Sequence, residues 1–169
     1  MDYERLKNLF TPEAIEVIRQ HEREYETLDW SMRQKMGLLR GYPKNTQSAA
    51  FQTADKHNDH GWACHRAAQY REALEHYKPA LQLCPDFAMV WNNKGLAHFR
   101  LGQFEDARAA YLEAIRLAPA FIAPYSNLGI LHFELRADKK EALTWFRKSL
   151  ALDPNYQRSL EYVRRIEAS

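Results

Sequence analysis

The chain is poor in the residues that would tie it to an oxidising compartment, a bilayer or a nucleic acid. Cys64 and Cys84 are the two cysteines among 169 residues, too few for a disulfide framework. Free thiols in a reducing cytoplasm are therefore expected. No run approaches the roughly 18 apolar residues of a membrane span. The start, Met-Asp-Tyr-Glu-Arg-Leu-Lys, lacks the basic-then-apolar pattern of a secretory signal. Charge of one sign is missing as well. Residues 1–53 hold eight Lys and Arg against eight Asp and Glu, and residues 54–169 hold sixteen against fourteen. Without a charge block, electrostatics alone draws in neither nucleic acid nor an anionic surface.

Catalytic signatures are also absent. His21-Glu22 does not open a zinc-protease motif, because the fifth residue is Tyr25 rather than His. Gly37 and Gly41 are not followed by the Lys-Ser/Thr of a phosphate loop. No strand–turn–helix setting exists for a serine nucleophile. The sequence reads as a non-enzyme that needs no cofactor.

What is present is order. The six glycines and seven prolines are few, yet several fall at fixed intervals. Gly61, Gly95 and Gly129 stand 34 apart. Ala73, Ala107 and Ala142 follow at 34 and 35, as do Tyr77, Tyr111 and Phe146, and Pro85, Pro119 and Pro154. One residue inserted within 136–140 accounts for each longer step. Every unit reads as two helices. In the second unit, one runs from about Met89 to Leu101 and breaks at Gly102. The next runs from Phe104 to Leu117, with Phe104, Ala107, Tyr111, Ala114 and Leu117 on one face. Pro119 ends it, since proline lacks an amide hydrogen and disfavours helix in the residue before it.

This periodicity resembles the tetratricopeptide repeat (TPR), Trp-x-x-Leu-Gly-x-x-Tyr, then Ala-x-x-x-Phe, then Pro. Trp91, Gly95, Ala107, Tyr111 and Pro119 carry the pattern in the second unit, and Tyr125, Leu128, Gly129, Ala142, Phe146 and Pro154 in the third. The first, with Gly61, Ala73, Tyr77, Ala80 and Pro85, is weaker at its start. The chain departs from the pattern at His60 and Lys94, where Leu is usual, and at Cys64, His98 and His132, where Tyr is usual. The resemblance implies an all-α, right-handed superhelical solenoid of helix–turn–helix repeats. Repeats are expected at 54–87, 88–121 and 122–156. A capping helix is expected at 157–169, with Tyr156, Leu160 and Val163 inward and Arg158, Glu161, Arg164 and Arg165 toward water.

Residues 1–53 fall outside the repeat. Thr11-Pro12-Glu13 is a helix start, and Ile15, Ile18, Tyr25, Leu28, Met32, Met36 and Leu39 follow at helical spacing. Residues 41–48 form a polar connector. The segment has three readings: a cover for the first repeat, a dimerisation arm, or a plug in the groove.

By resemblance, the first helix of each pair lines an inner groove. That assigns Asn58, Asp59, Trp62, His65 and Arg66 to the groove from the first unit. The second contributes Met89, Asn92, Asn93, Leu96, Phe99 and Arg100, and the third Ser126, Asn127, Ile130, Phe133 and Glu134. Asp59, Asn93 and Asn127 stand at 34-residue intervals, a ladder suited to gripping a peptide backbone. Phe99 and Phe133 are expected to anchor partner side chains. Receptors for acidic chaperone tails use lysines, asparagines and an arginine. Here only Asn93 has a match, while Asn58, Ala123 and Asn127 occupy the slots for cations. The expected function is a protein–protein interaction scaffold that holds a partner segment in the groove. A small dedicated chaperone shielding a client is the alternative. A third reading is metal binding through His57, His60 and Cys64, which share a helix face. Packing histidines are the simpler account of those positions.

Overall fold

The periodic positions resolve into stacked helix pairs in the computed structural model of the chain, which describes residues 41–43, 46, 48–136 and 138–168. Among the described residues there are seven helices and no strand. They are α1 (Ala49–Arg66), α2 (Tyr70–Leu83), α3 (Ala88–Arg100), α4 (Phe104–Leu117), α5 (Ile122–Arg136), α6 (Lys139–Leu152) and α7 (Gln157–Glu167). Ser48 starts α1 by accepting a hydrogen bond from the Phe51 amide at 3.1 Å, which satisfies one of the free amides of the first turn. The expected roles of residues 1–40 as cover, arm or plug lie outside the described residues.

The spacing of glycine and aromatic residues has a steric cause. A Cβ at Gly95 would approach the Tyr111 ring to 2.6 Å, and one at Gly129 would approach Phe146 equally closely, at 2.6 Å. Gly61 meets Tyr77 in the same way. Each glycine lets the ring of the second helix lie flat against the backbone of the first. The alanines at the next repeated position, Ala73, Ala107 and Ala142, are fully buried and keep the paired helices close. The turns within pairs need a left-handed residue. Gly102 supplies it at φ 75°, and Ala68, its equivalent one repeat earlier, is forced to φ 61°. Repeats are tied together behind the prolines. Trp91 Nε1 donates to the Pro85 carbonyl at 2.8 Å, and Tyr125 Oη donates to that of Pro119 at 3.0 Å.

Each helix packs on its neighbours in sequence. In addition, α1 touches α3, α3 touches α5, and α5 touches α7. The first helices therefore follow one another along a common face. The connector joins this body: the Gly41 carbonyl accepts from the Met89 amide at 2.8 Å, and Tyr42 packs on Phe51 and Phe87.

The capping helix meets expectation in part: Val163 packs on the core and Arg158, Glu161, Arg164 and Arg165 are exposed, but the deepest positions are others. Ser159 and Ile166 are its buried residues, with Tyr162 and Val163 packed on the core, whereas Tyr156 and Leu160 are only half-buried. The reason is local. The Ser159 hydroxyl shares a hydrogen bond with that of Ser149, which requires two small residues at the closest approach of α6 and α7.

Candidate functional site

Positions one repeat apart on α1, α3 and α5 fall into rows. Trp62, Leu96 and Ile130 form one, and His65, Phe99 and Phe133 form the next. Burial deepens along the first row: Trp62 is 40% exposed, Leu96 is half-buried, and Ile130 is 6% exposed. Three large apolar side chains are exposed among the described residues, Trp62, Leu83 and Leu152, and of these Trp62 alone stands on a first helix. Its indole stacks on the His65 ring with centroids 5.1 Å apart and planes 13° from parallel. Burial, and then the charge of Arg100, hold His65 below the usual histidine pKa, which favours the neutral ring in that stack. Arg66 and Arg100 border the row, both exposed. Met89 is half-buried, and its amide is committed to Gly41.

The asparagines are arranged differently from the sequence expectation. Asp59 is exposed and takes no part. The chain of amides instead runs from Asn127 Nδ2 to Asn92 Oδ1 (2.8 Å), from Asn92 Nδ2 to Asn93 Oδ1 (3.4 Å), and from Asn93 Nδ2 to Asn58 Oδ1 (3.0 Å). All four are buried, at 3–8% exposure. Neighbouring first helices are offset, so residues 35 apart, not 34, come into register. Asn93 and Asn127 thus bind their own chain first. Asn127 Oδ1 and the Ser126 hydroxyl remain buried without a protein partner.

Phe133 is likewise less available than expected. The Arg165 guanidinium lies 5.1 Å from its ring centre and pairs with Glu134 at 3.4 Å, while Tyr162 meets the ring edge-on. Arg165 therefore covers an aromatic rather than simply facing water. At the opposite end, Asp55 and Asp59 are one helical turn apart on α1. Burial, then repulsion from Asp59, raises the Asp55 pKa to about 6, and its Oδ1 has no hydrogen-bond partner.

A tetratricopeptide repeat profile matches residues 59–120. Among solved structures, the first TPR of Spaghetti (RPAP3), bound to the HSP90 peptide SRMEEVD, is 26% identical. It aligns over 69% of this chain and 92% of that one, with a TM-score of 0.64. The Arabidopsis OM64 TPR domain is 22% identical over 71% and 98% of the two chains, with a TM-score of 0.67. The Sgt2 TPR domain of Aspergillus fumigatus is 24% identical over 68% and 77%, with a TM-score of 0.63. Residues 59–120 match the tetratricopeptide repeat, and the stacked helix pairs share the fold of TPR domains. No curated protein matches the chain. No helix among the described residues is long and apolar enough to cross a membrane.

The first TPR departs from the others in its polar contents. His57 and His60 lie against His76 of α2, with ring centroids 6.4 and 5.6 Å apart. His76 and Glu72, which sequence spacing on α1 does not single out, are the residues that meet Cys64. A comparison of repeats carries the signal: Ala110 and Trp145 stand where the first TPR has His76. His98, expected in a core slot, is half-exposed and bonds Gln103 of the turn at 2.7 Å, whereas His132 is buried. Cys64 and Cys84 are free thiols.

Proposed function

We propose that the chain is a protein–protein interaction scaffold whose first helices hold an apolar segment of a partner polypeptide. The observation that supports this most is that Trp62, Leu96 and Phe99, taken from the two neighbouring rows, put one exposed and two half-buried apolar side chains on adjacent first helices. An exposed tryptophan contributes much binding energy when a partner desolvates it. The buried asparagine chain contributes differently from the sequence expectation. Its hydrogen bonds lock α1, α3 and α5 in register and so present the row as a rigid surface, which lowers the ordering cost of binding.

The Spaghetti domain is bound to the acidic peptide SRMEEVD. For this chain an acidic tail suits the site poorly. Two of the slots for cations hold Asn58 and Asn127, both buried and committed to other asparagines, and the third holds Ala123. The Asp55 and Asp59 pair adds negative charge on α1. The partner segment inferred here is therefore apolar, with a basic residue toward Asp59.

Peptides selected from a random display library on the intact chain test this by fluorescence anisotropy. Trp62→Ala is expected to weaken the selected peptides by about thirtyfold, equivalent to about 2 kcal/mol. The outward pair Arg108→Ala and Arg147→Ala is expected to leave binding unchanged. The opposite pattern would place the working surface on the second helices and refute the proposal.

A further inference from the structure

Beside the packing of Gly61, Ala73 and Tyr77, the α1–α2 pair of the first repeat carries several residues of metal-binding types. Four of the seven histidines in the chain, His57, His60, His65 and His76, lie in this one helix pair. The ligand atoms of Cys64, Glu72 and His76 all lie within 4.8 Å of one another. His60, exposed on α1, lies edge-on to His76 at 5.6 Å between ring centroids. The four residues form two pairs at i, i+4 spacing, His60 with Cys64 on α1 and Glu72 with His76 on α2. Residues at that spacing project from the same helix face, one turn apart. Cys64 of α1 thus meets the Glu72–His76 pair of α2, with exposed His60 one turn before Cys64 on the same face.

We infer that Cys64, Glu72 and His76, with His60 as the fourth donor, form a binding site for a zinc-type divalent cation. Thiolate, imidazole and carboxylate are the ligand set of tetrahedral zinc, with bonds of about 2.0–2.3 Å. Those bonds place donors roughly 3.5 Å apart, so the cluster closes by about 1 Å when it binds. Glu72 is exposed, and Cys64 and His76 are only half-buried, which leaves the side chains room to adjust. One thiolate and one carboxylate balance the two charges of the ion. The thiol proton is released on binding, so charge and protons are accounted for.

Packing alone does not explain the cluster. The positions of His57, His60 and Cys64 hold Trp91, Lys94 and His98 in the second repeat, and Tyr125, Leu128 and His132 in the third. Position 76 corresponds to Ala110 and Trp145. Neither later repeat brings a thiol, a carboxylate and two imidazoles together. The first repeat is also the one whose match to the apolar repeat pattern is weakest. A metal joining α1 to α2 would add a polar tie beside the buried Ala73 and Tyr77 contacts of this pair.

The test uses the full chain, stripped with a chelator and titrated with zinc alone and, separately, with cobalt(II) as an optical reporter. The expected result is one ion per chain, a melting temperature that rises with zinc concentration, and a cobalt spectrum with tetrahedral intensity and a thiolate charge-transfer band. Cys64→Ser is expected to abolish that band. His76→Gln is expected to weaken zinc binding by more than about tenfold, since even partners outside the ligand shell cost roughly 10–100-fold. His98→Gln should change neither. His76 is half-buried, so the glutamine variant carries the test if Cys64→Ser unfolds. Failure of the stripped chain to bind zinc would overturn the inference. So would binding that Cys64→Ser and His76→Gln leave intact, or a cobalt spectrum without thiolate character.

Discussion

Truncating Asn93 to alanine removes two hydrogen bonds at once, because this side chain donates to Asn58 and accepts from Asn92. Asn58 Oδ1 and Asn92 Nδ2 would then be left in a buried setting without partners. An orphaned buried polar group costs about 1–3 kcal/mol. The bond from Asn92 is long, at 3.4 Å, so it falls at the low end of that range. The expected loss for Asn93→Ala is therefore about 2–4 kcal/mol. Asn58→Ala strands only the Asn93 amide hydrogens and should cost about 1–2 kcal/mol. The double variant removes both ends of the 3.0 Å bond and strands only Asn92. It should cost about 1 kcal/mol, less than the sum of the two by at least about 2 kcal/mol. Urea unfolding followed by circular dichroism measures all three. A loss below about 0.5 kcal/mol for Asn93→Ala, the level of an ordinary surface change, would refute the reasoning. So would strict additivity in the double variant.

Gly95→Ala drives a methyl into the Tyr111 ring and should destabilise by about 1–3 kcal/mol, the cost of overpacking, as read by thermal melting. Ala68→Gly relieves a left-handed backbone at φ 61° and should stabilise by about 1 kcal/mol; a lower melting temperature would contradict this. Asp55 has a folded pKa of about 6 against an ordinary 3.8, so folding favours its protonated form. Its contribution is present at low pH and lost as pH rises through about 6. Asp55→Asn should therefore stabilise the protein at neutral pH, by about 1 kcal/mol once solvent screening of this half-exposed group is included. It should also flatten the stability curve between about pH 4 and pH 7. An unchanged slope would show that Asp55 does not titrate in that range.

The architecture was legible because the repeat is written in steric necessities. Gly95 and Tyr111 recur as a pair in every repeat, with Phe146 for Tyr in the third, since the ring occupies the space a Cβ would need. The site was legible only in part. Sequence spacing places Asn93 and Asp59 at the same repeat position. It does not reveal that adjacent helices are offset by one residue, which brings Asn58 to Asn93 and leaves Asp59 in water. The deepest contacts of the cap, Ser159 and Ile166, escaped the sequence reading for a related reason. The cap has no repeat to align with, and its closest contact is made by Ser159, a polar residue that an apolar stripe does not select. Phe133 was read as open because its cover, Arg165, lies 32 residues away on the cap. His76 is separated from Cys64 by a turn, and only the pairing of α1 with α2 brings them together.

The most direct test of the proposed working surface is chemical-shift mapping of the intact chain with a display-selected peptide. The account predicts the largest changes at the Trp62 indole and at Leu96 and Phe99, with the signals of Arg108 and Arg147 unmoved. Changes concentrated on the second helices, with Trp62 silent, would contradict it.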